Sequence, residues 1–229
     1  VRFNQALARG ARLAFSRPVI GPEDTAVLQY TGGTTGVAKG AVLLHRNLIA
    51  NTLQSEAWND PVMRKVPSGE PSTTVCALPL YHIFAFTVGF LLCMRTGSRL
   101  ILIPNPRDCA AMFKELSGQA FHSFPAVSTL FNAILHHPDF DKVDWSHLKV
   151  SIGGGMAVQS AVARRWLERT GCPITEGYGL SETSPSASCN PVTRRDFSGS
   201  IGVPLPSTWM RCIDEAGDEV PLGQPGEIA

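Results

Sequence analysis

Apolar positions along the chain fall in short runs separated by Gly, Pro and polar clusters. The runs "AVLQY" (26–30) and "AVLL" (41–44) read as strands flanking a Gly/Thr-rich loop. Asn47 stands where it can cap a helix over 47–58, in which Leu48, Ile49 and Leu53 give a partly helical period. Residues 60–71, with Pro61, Pro67 and Gly69, read as a polar loop. Strand-like "TTVCALPL", "SRLILIP", "FHSF", "LKVSIGGG" and "PITEGYG" then alternate with helical stretches through Phe90 and over 108–116, 127–136 and 157–169. This alternation predicts an α/β fold with largely parallel sheets. The stretch 2–21 is basic and punctuated by proline, and reads as a short helix and linker. Residues 199–227 are Gly/Pro-rich with a short strand near 210–213, the expected start of a β-rich subdomain. The division expected is therefore 1–198 and 199–229.

Composition narrows the functional classes. Hydrophobic residues make up 44% and charged residues 17%, so a sizeable core is expected and global disorder is not. A net charge of +1 argues against a nucleic-acid surface. The six cysteines show no CxxC spacing, so neither a zinc site nor a disulfide framework is suggested, and a reducing cytoplasm fits. The longest apolar run, 83–94, is too short to span a bilayer and predicts a buried helix. No signal peptide is recognised. The start at Val1 and the stop within "PGEIA" read as an internal piece of a longer protein.

The loop between the first two strands carries the first chemistry. A Walker-type phosphate loop is GxxxxGK[ST] followed at once by a helix. Here Lys39 follows Ala38, precedes Gly40, and leads into the strand-like "AVLL". The physical logic of anion binding still holds. Gly32, Gly33 and Gly36 permit close backbone approach, Thr31, Thr34 and Thr35 supply hydroxyls, and Lys39 supplies charge. An ordinary flexible hairpin loop is the other reading of the same residues. Taken singly, other candidates have plain readings too. Tyr178 can be a packed aromatic, Glu182 a solvated carboxylate, the glycines at 153–155 a tight turn, His82 a structural histidine and Phe86 a core residue.

Order and joint presence add a resemblance. "YTGGTTGVAKG" resembles the signature Y-T-[SGT]-G-[ST]-T-G-x-P-K-G of the adenylate-forming (AMP-binding) superfamily, and "EGYGLSETSP" resembles its Y-G-x-[ST]-E element. "LPLYHIFAF", "SIGGGMAV" and "GSIGVPLPS" fall between and after them in the family's order, and the group resembled within it is the bacterial long-chain fatty-acid–CoA ligases. The resemblance implies the central part of the family's large N-terminal domain, with parallel-rich sheets flanked by helices. It also implies a two-step reaction. A fatty-acid carboxylate attacks the α-phosphate of ATP with Mg²⁺, and coenzyme A then displaces AMP. Carried over residue by residue, 31–36 and Lys39 grip the β- and γ-phosphates, and Thr31 and Glu182 hold Mg²⁺. Tyr178 stacks on adenine, with Gly154, Gly155, Glu176, Gly177 and Gly179 around it. Ser181 stands where a threonine usually touches the α-phosphate, His82 faces the reacting carboxylate, and Phe86 gates the acyl tunnel. Ala38 replaces the usual proline before the lysine.

The family's later motifs, a "TGD" aspartate, the hinge and a small C-terminal domain with its lysine, do not appear, so little turnover is expected of this piece alone. Two other functions stay open from the sequence: another adenylating ligase (aryl-, short-chain or carrier-protein-loading) and a non-catalytic nucleotide-binding module. A cytoplasmic enzyme with peripheral contact at the inner membrane is what a long-chain substrate implies, although no amphipathic anchor stands out. Nothing in the sequence signals an oligomeric state.

Overall fold

The computed structural model describes residues 2–31 and 39–229. The first two strands, β1 (Thr25–Thr31) and β2 (Lys39–Leu44), form an antiparallel hairpin with Leu28 opposite Val42 and Thr31 opposite Lys39. Alternation gives the hairpin two faces. Val27, Ala41 and Leu43 pack with Leu48 and Ile83 in a small core, while Leu28, Tyr30 and Val42 are exposed. Before it, α1 (Phe3–Gly10) buries no residue.

Helix α2 spans His45–Met63, longer at both ends than its sequence pattern predicts. Asn47 does not cap it from outside. It sits inside the first turn, and its Oδ1 accepts the Leu44 N–H at 2.9 Å. The helix continues past Pro61 because Trp58, Val62 and Met63 pack against Phe84, Val88 and Ile152, which outweighs the bond Pro61 cannot make.

Five parallel strands follow: β3 (Thr73–Cys76), β4 (Arg99–Leu102), β5 (Ser123–Ala126), β6 (Val150–Gly153) and β7 (Ile174–Gly179). β8 (Ser186–Cys189) and β9 (Val203–Pro204) add antiparallel, and the sheet order is β4-β3-β5-β6-β7-β8-β9. Every residue of β3, β5 and β6 is buried, as expected for strands covered on both faces. The covering helices include α4 (Cys109–Leu116), α5 (Ser128–Leu135) and α6 (Ser160–Thr170). The apolar run after His82 is helical from Ile83 to Thr96, but Ala85–Leu91 is wound as a π-helix and only Leu92–Thr96, α3, returns to α geometry. At the C-terminal end β10 (Cys212–Ile213) and β11 (Glu227–Ile228) form a separate antiparallel pair. Among the described residues no helix is long and apolar enough to cross a membrane.

The main core is aromatic. The Trp166 ring lies 4.7 Å from Phe131, 5.2 Å from Trp145 and 6.0 Å from Phe124, centroid to centroid, and its indole N–H donates to Ser151 Oγ at 3.0 Å. At the opposite end of the sheet from the strand C-termini, His122 is buried and its Nδ1 accepts the Thr73 N–H at 3.0 Å. Burial lowers its pKa. Charge on His147, Lys149 and Arg99 acts the same way and Glu70 opposes. A depressed histidine contributes stability above its unfolded pKa of about 6.5, and that stability is lost as pH falls through the folded value. The urea midpoint should therefore drop between about pH 7 and pH 5, and the drop should be smaller in His122→Gln. Equal slopes in the two chains would remove His122 from the account.

Candidate active site

In open α/β sheets ligands bind outside the carboxyl ends of the strands. β6 and β7 end side by side here, with Gly153 opposite Glu176. β6 runs on into the loop Gly154–Ala157, and β7 into a 3₁₀ turn, Ser181–Thr183, that returns as β8. The segment after β3 reaches the same edge and ends at His82. α2 closes the remaining side because it is tied to β8. Asn51 Nδ2 donates to Ser186 O at 2.7 Å while its Oδ1 accepts Ser186 N–H at 3.1 Å. Trp58 Nε1 donates to Asn190 O at 3.0 Å, and Gln54 Nε2 to Pro206 O at 2.6 Å.

These elements enclose a cavity of about 390 Å³. Its exposed end carries Glu182, Gly179 and Leu180, with Thr31, Tyr178 and Ser181 half-buried beside them. Its buried lining is mostly apolar, with Ile83, Val88, Ile152 and Leu205, and also holds Ser55, Asn59 and Ser188. His82 and Phe84 also line it.

The polar side chains are held locally. His82 precedes the helix that starts at Ile83, and its Nδ1 accepts the Phe84 N–H at 3.2 Å. A neutral imidazole accepting at Nδ1 carries its proton on Nε2, so Nε2 is the donor atom. The turn bearing Ser181 and Glu182 is closed by Thr183. Its Oγ1 accepts the Leu180 N–H at 2.9 Å and donates to Pro185 O. Gly154 lies so near Phe84 that a Cβ there would stand 3.1 Å from the ring, and Gly155 has φ +76°, which favours glycine. The Cys189 thiol also lines the cavity. Burial pushes its pKa up to about 12, so it is a small protonated wall group, not a nucleophile.

Of the residues singled out from the sequence, the cavity gathers Thr31, His82, Gly154, Gly155, Gly177, Tyr178, Gly179, Ser181 and Glu182. Lys39 is exposed on β2 opposite Thr31, whose hydroxyl donates to the Lys39 carbonyl at 3.3 Å. Glu176 turns its carboxylate away to the Val158 N–H at 3.0 Å. Phe86 is not a lining residue. It packs at the hairpin core and stacks on Phe90 at 5.9 Å. Gly32, Gly33, Thr34, Thr35 and Gly36 lie outside the described residues. The sequence reading missed Ser55, Trp58 and Asn59, which line the cavity from α2. Their i, i+3, i+4 spacing places them on one helix face, the only signal they carried.

Thr31 and Glu182 bring two hard oxygen donors to one cavity. Among the described residues no group of three or more His, Cys, Asp or Glu could hold a metal ion. That donor set fits a Mg²⁺ carried in largely by substrate phosphates and water, with few protein ligands.

The AMP-binding enzyme family model matches residues 4–229. The chain belongs to that family. Among AMP-binding enzymes it is similar to the long-chain-fatty-acid–CoA ligase of Escherichia coli O6:H1, 49% identical over 228 residues, covering 100% of this chain and 40% of the relative. The Bacillus subtilis long-chain-fatty-acid–CoA ligase is 37% identical over 213 residues, covering 92% and 37%. The chain thus spans about 40% of the length of these curated relatives. Among solved structures, ATP-bound MatB from Rhodopseudomonas palustris is similar with a TM-score of 0.77 at 28% identity, over 94% of this chain and 41% of that one. The anthranilate CoA ligase AuaEII in complex with anthranoyl-AMP gives 0.78 at 25% identity, over 90% and 39%. The expected α/β architecture with a parallel-rich sheet is the one observed.

Proposed function

We propose that the parent protein is an AMP-forming acid–thiol ligase that activates a long-chain fatty acid. The carboxylate oxygen attacks the α-phosphorus of ATP, forming acyl-AMP and releasing pyrophosphate. The thiol of coenzyme A then attacks the acyl carbonyl, forming the thioester and releasing AMP. The single observation behind this reading is one cavity lined both by exposed and half-buried polar groups of the two motifs and by buried side chains, most of them apolar. A nucleotide suits the first and an aliphatic chain the second.

Each side chain then has a task. Tyr178 offers a flat ring for adenine, and Gly154, Gly155 and Gly177 leave room for its plane. The Ser181 hydroxyl is the donor for the α-phosphate. Residues 31–36 and Lys39 take the β- and γ-phosphates, the groups that leave as pyrophosphate. Thr31 and Glu182 would hold Mg²⁺, which when bound offsets the repulsion between carboxylate and phosphate. His82 Nε2–H donates to the carboxylate oxygen that does not attack, orienting the acid and countering its charge.

A panel of acids of rising chain length, assayed by pyrophosphate release on the full-length parent, tests the assignment. Dodecanoate and palmitate should give the highest kcat/KM. A preference for benzoate or acetate would move the enzyme to the aryl or short-chain ligases.

A further inference from the structure

We propose that Glu176 is a positioning residue that sets the width of the nucleotide slot by holding Val158, and does not bind the ligand. The assignment rests on the reading that the polar end of the cavity takes ATP. Glu176 lies on β7 directly opposite Gly153, where β6 gives way to the loop Gly154–Ala157. Its Oε1 accepts the Val158 N–H at 3.0 Å. Val158 is where that loop returns to the core, 6% exposed and seated so close that a Cβ on Gly153 would stand 2.5 Å from its Cγ2. The near end of the loop is held by Gly154 N–H to Ala126 O at 3.3 Å, and the residue beyond it by Gln159 N–H to Ser128 Oγ at 3.2 Å. Glu176 therefore fastens the far end of the loop to the strand that carries Gly177 and Tyr178.

The same residue reaches the third wall through its backbone. Its carbonyl accepts the Asn190 N–H at 2.9 Å and Asn190 Nδ2 at 3.3 Å, just beyond the end of β8. One residue thus joins the loop after β6, the strand β7 and the segment after β8. Its other oxygen, Oε2, is buried and has no hydrogen-bond partner among the described residues. A carboxylate needed only as a surface charge would keep both oxygens in water. A carboxylate needed for the nucleotide would face the cavity, and Glu176 does not line it.

The test uses the full-length parent, with KM for ATP, kcat, and amide hydrogen exchange at Val158 as readouts. Glu176→Ala should raise KM for ATP about tenfold with a much smaller change in kcat, and the Val158 amide should lose protection. Glu176→Gln, whose side-chain oxygen accepts the same N–H, should restore both the KM and the protection. A Gln variant as impaired as the alanine would show that the charge itself is needed and overturn the proposal. So would an unchanged KM in Glu176→Ala, or a fall in kcat alone. If the alanine chain fails to fold, Glu176→Gln decides by the same measurements. Absence of ATP-dependent turnover in the wild-type parent would instead sink the ligase reading, while the exchange data still report whether Glu176 holds Val158.

Discussion

Glu182→Ala in the full-length parent should lower kcat/KM for ATP-dependent pyrophosphate release by about 10²–10³-fold and leave the folded protein intact. Glu182 is exposed at the polar end of the cavity, on a short turn whose hydrogen bonds are made by Thr183 and the backbone. Removing its carboxylate breaks no packing, and surface substitutions of this kind usually change stability by less than about 0.5 kcal/mol. The expected loss is electrostatic. In the proposed reaction carboxylate and triphosphate are both anions, and a Mg²⁺ held by Thr31 and Glu182 would lose one of its two protein oxygens. The Mg²⁺ concentration needed for half-maximal rate should rise with the substitution. A Glu182→Ala enzyme with wild-type turnover and Mg²⁺ dependence would remove Glu182 from the metal site.

The second large effect lies in the core. Trp166→Ala should destabilise the chain by about 3–5 kcal/mol, a large part of the 5–15 kcal/mol typical of a folded domain. Trp166 is fully buried and its ring meets those of Phe124, Phe131, Phe140 and Trp145. The substitution empties that space and removes the indole donor from Ser151. For a chain of this size the melting temperature should fall by about 6–20 °C. Trp166→Phe should lose less, since one aromatic ring stays in the cluster while the second ring of the indole and its hydrogen bond go. A melt of Trp166→Ala within about 2 °C of wild type would mean that the aromatic cluster repacks around the gap.

What was legible in the sequence follows the same physics. β3, β5 and β6 are buried on both faces, so they read as apolar runs between turns. β8 was not legible because "SASC" is only four residues long and its alternating apolar residues, Ala187 and Cys189, are small. It is a strand because β7, β9 and Asn51 of α2 take up its backbone groups. The π-wound stretch Ala85–Leu91 leaves no separate period in so apolar a run. Ser55 and Asn59 look like solvent-facing positions until α2 docks on β8 and buries them. Motif order brought Tyr178, Ser181, Glu182, His82 and the glycines to one cavity. It could not tell that Glu176, adjacent to them in sequence, points the other way, because that depends on where the loop after β6 returns.

The ties between α2 and β8 have a consequence for how the molecule is made. Asn51, Gln54 and Trp58 find partners 135, 152 and 132 residues further along the chain. Contacts that distant close late, since the loop-closure entropy must be met before they form. During synthesis the parallel strands β3 to β6 can assemble with their helices while the inner face of α2 still lacks its cover. The cavity appears only when the segment from Ser186 to Thr208 arrives and seats against that helix. A growing chain thus holds most of its sheet well before it has anywhere to put a substrate, and α2 is the surface a chaperone would meet in the interval.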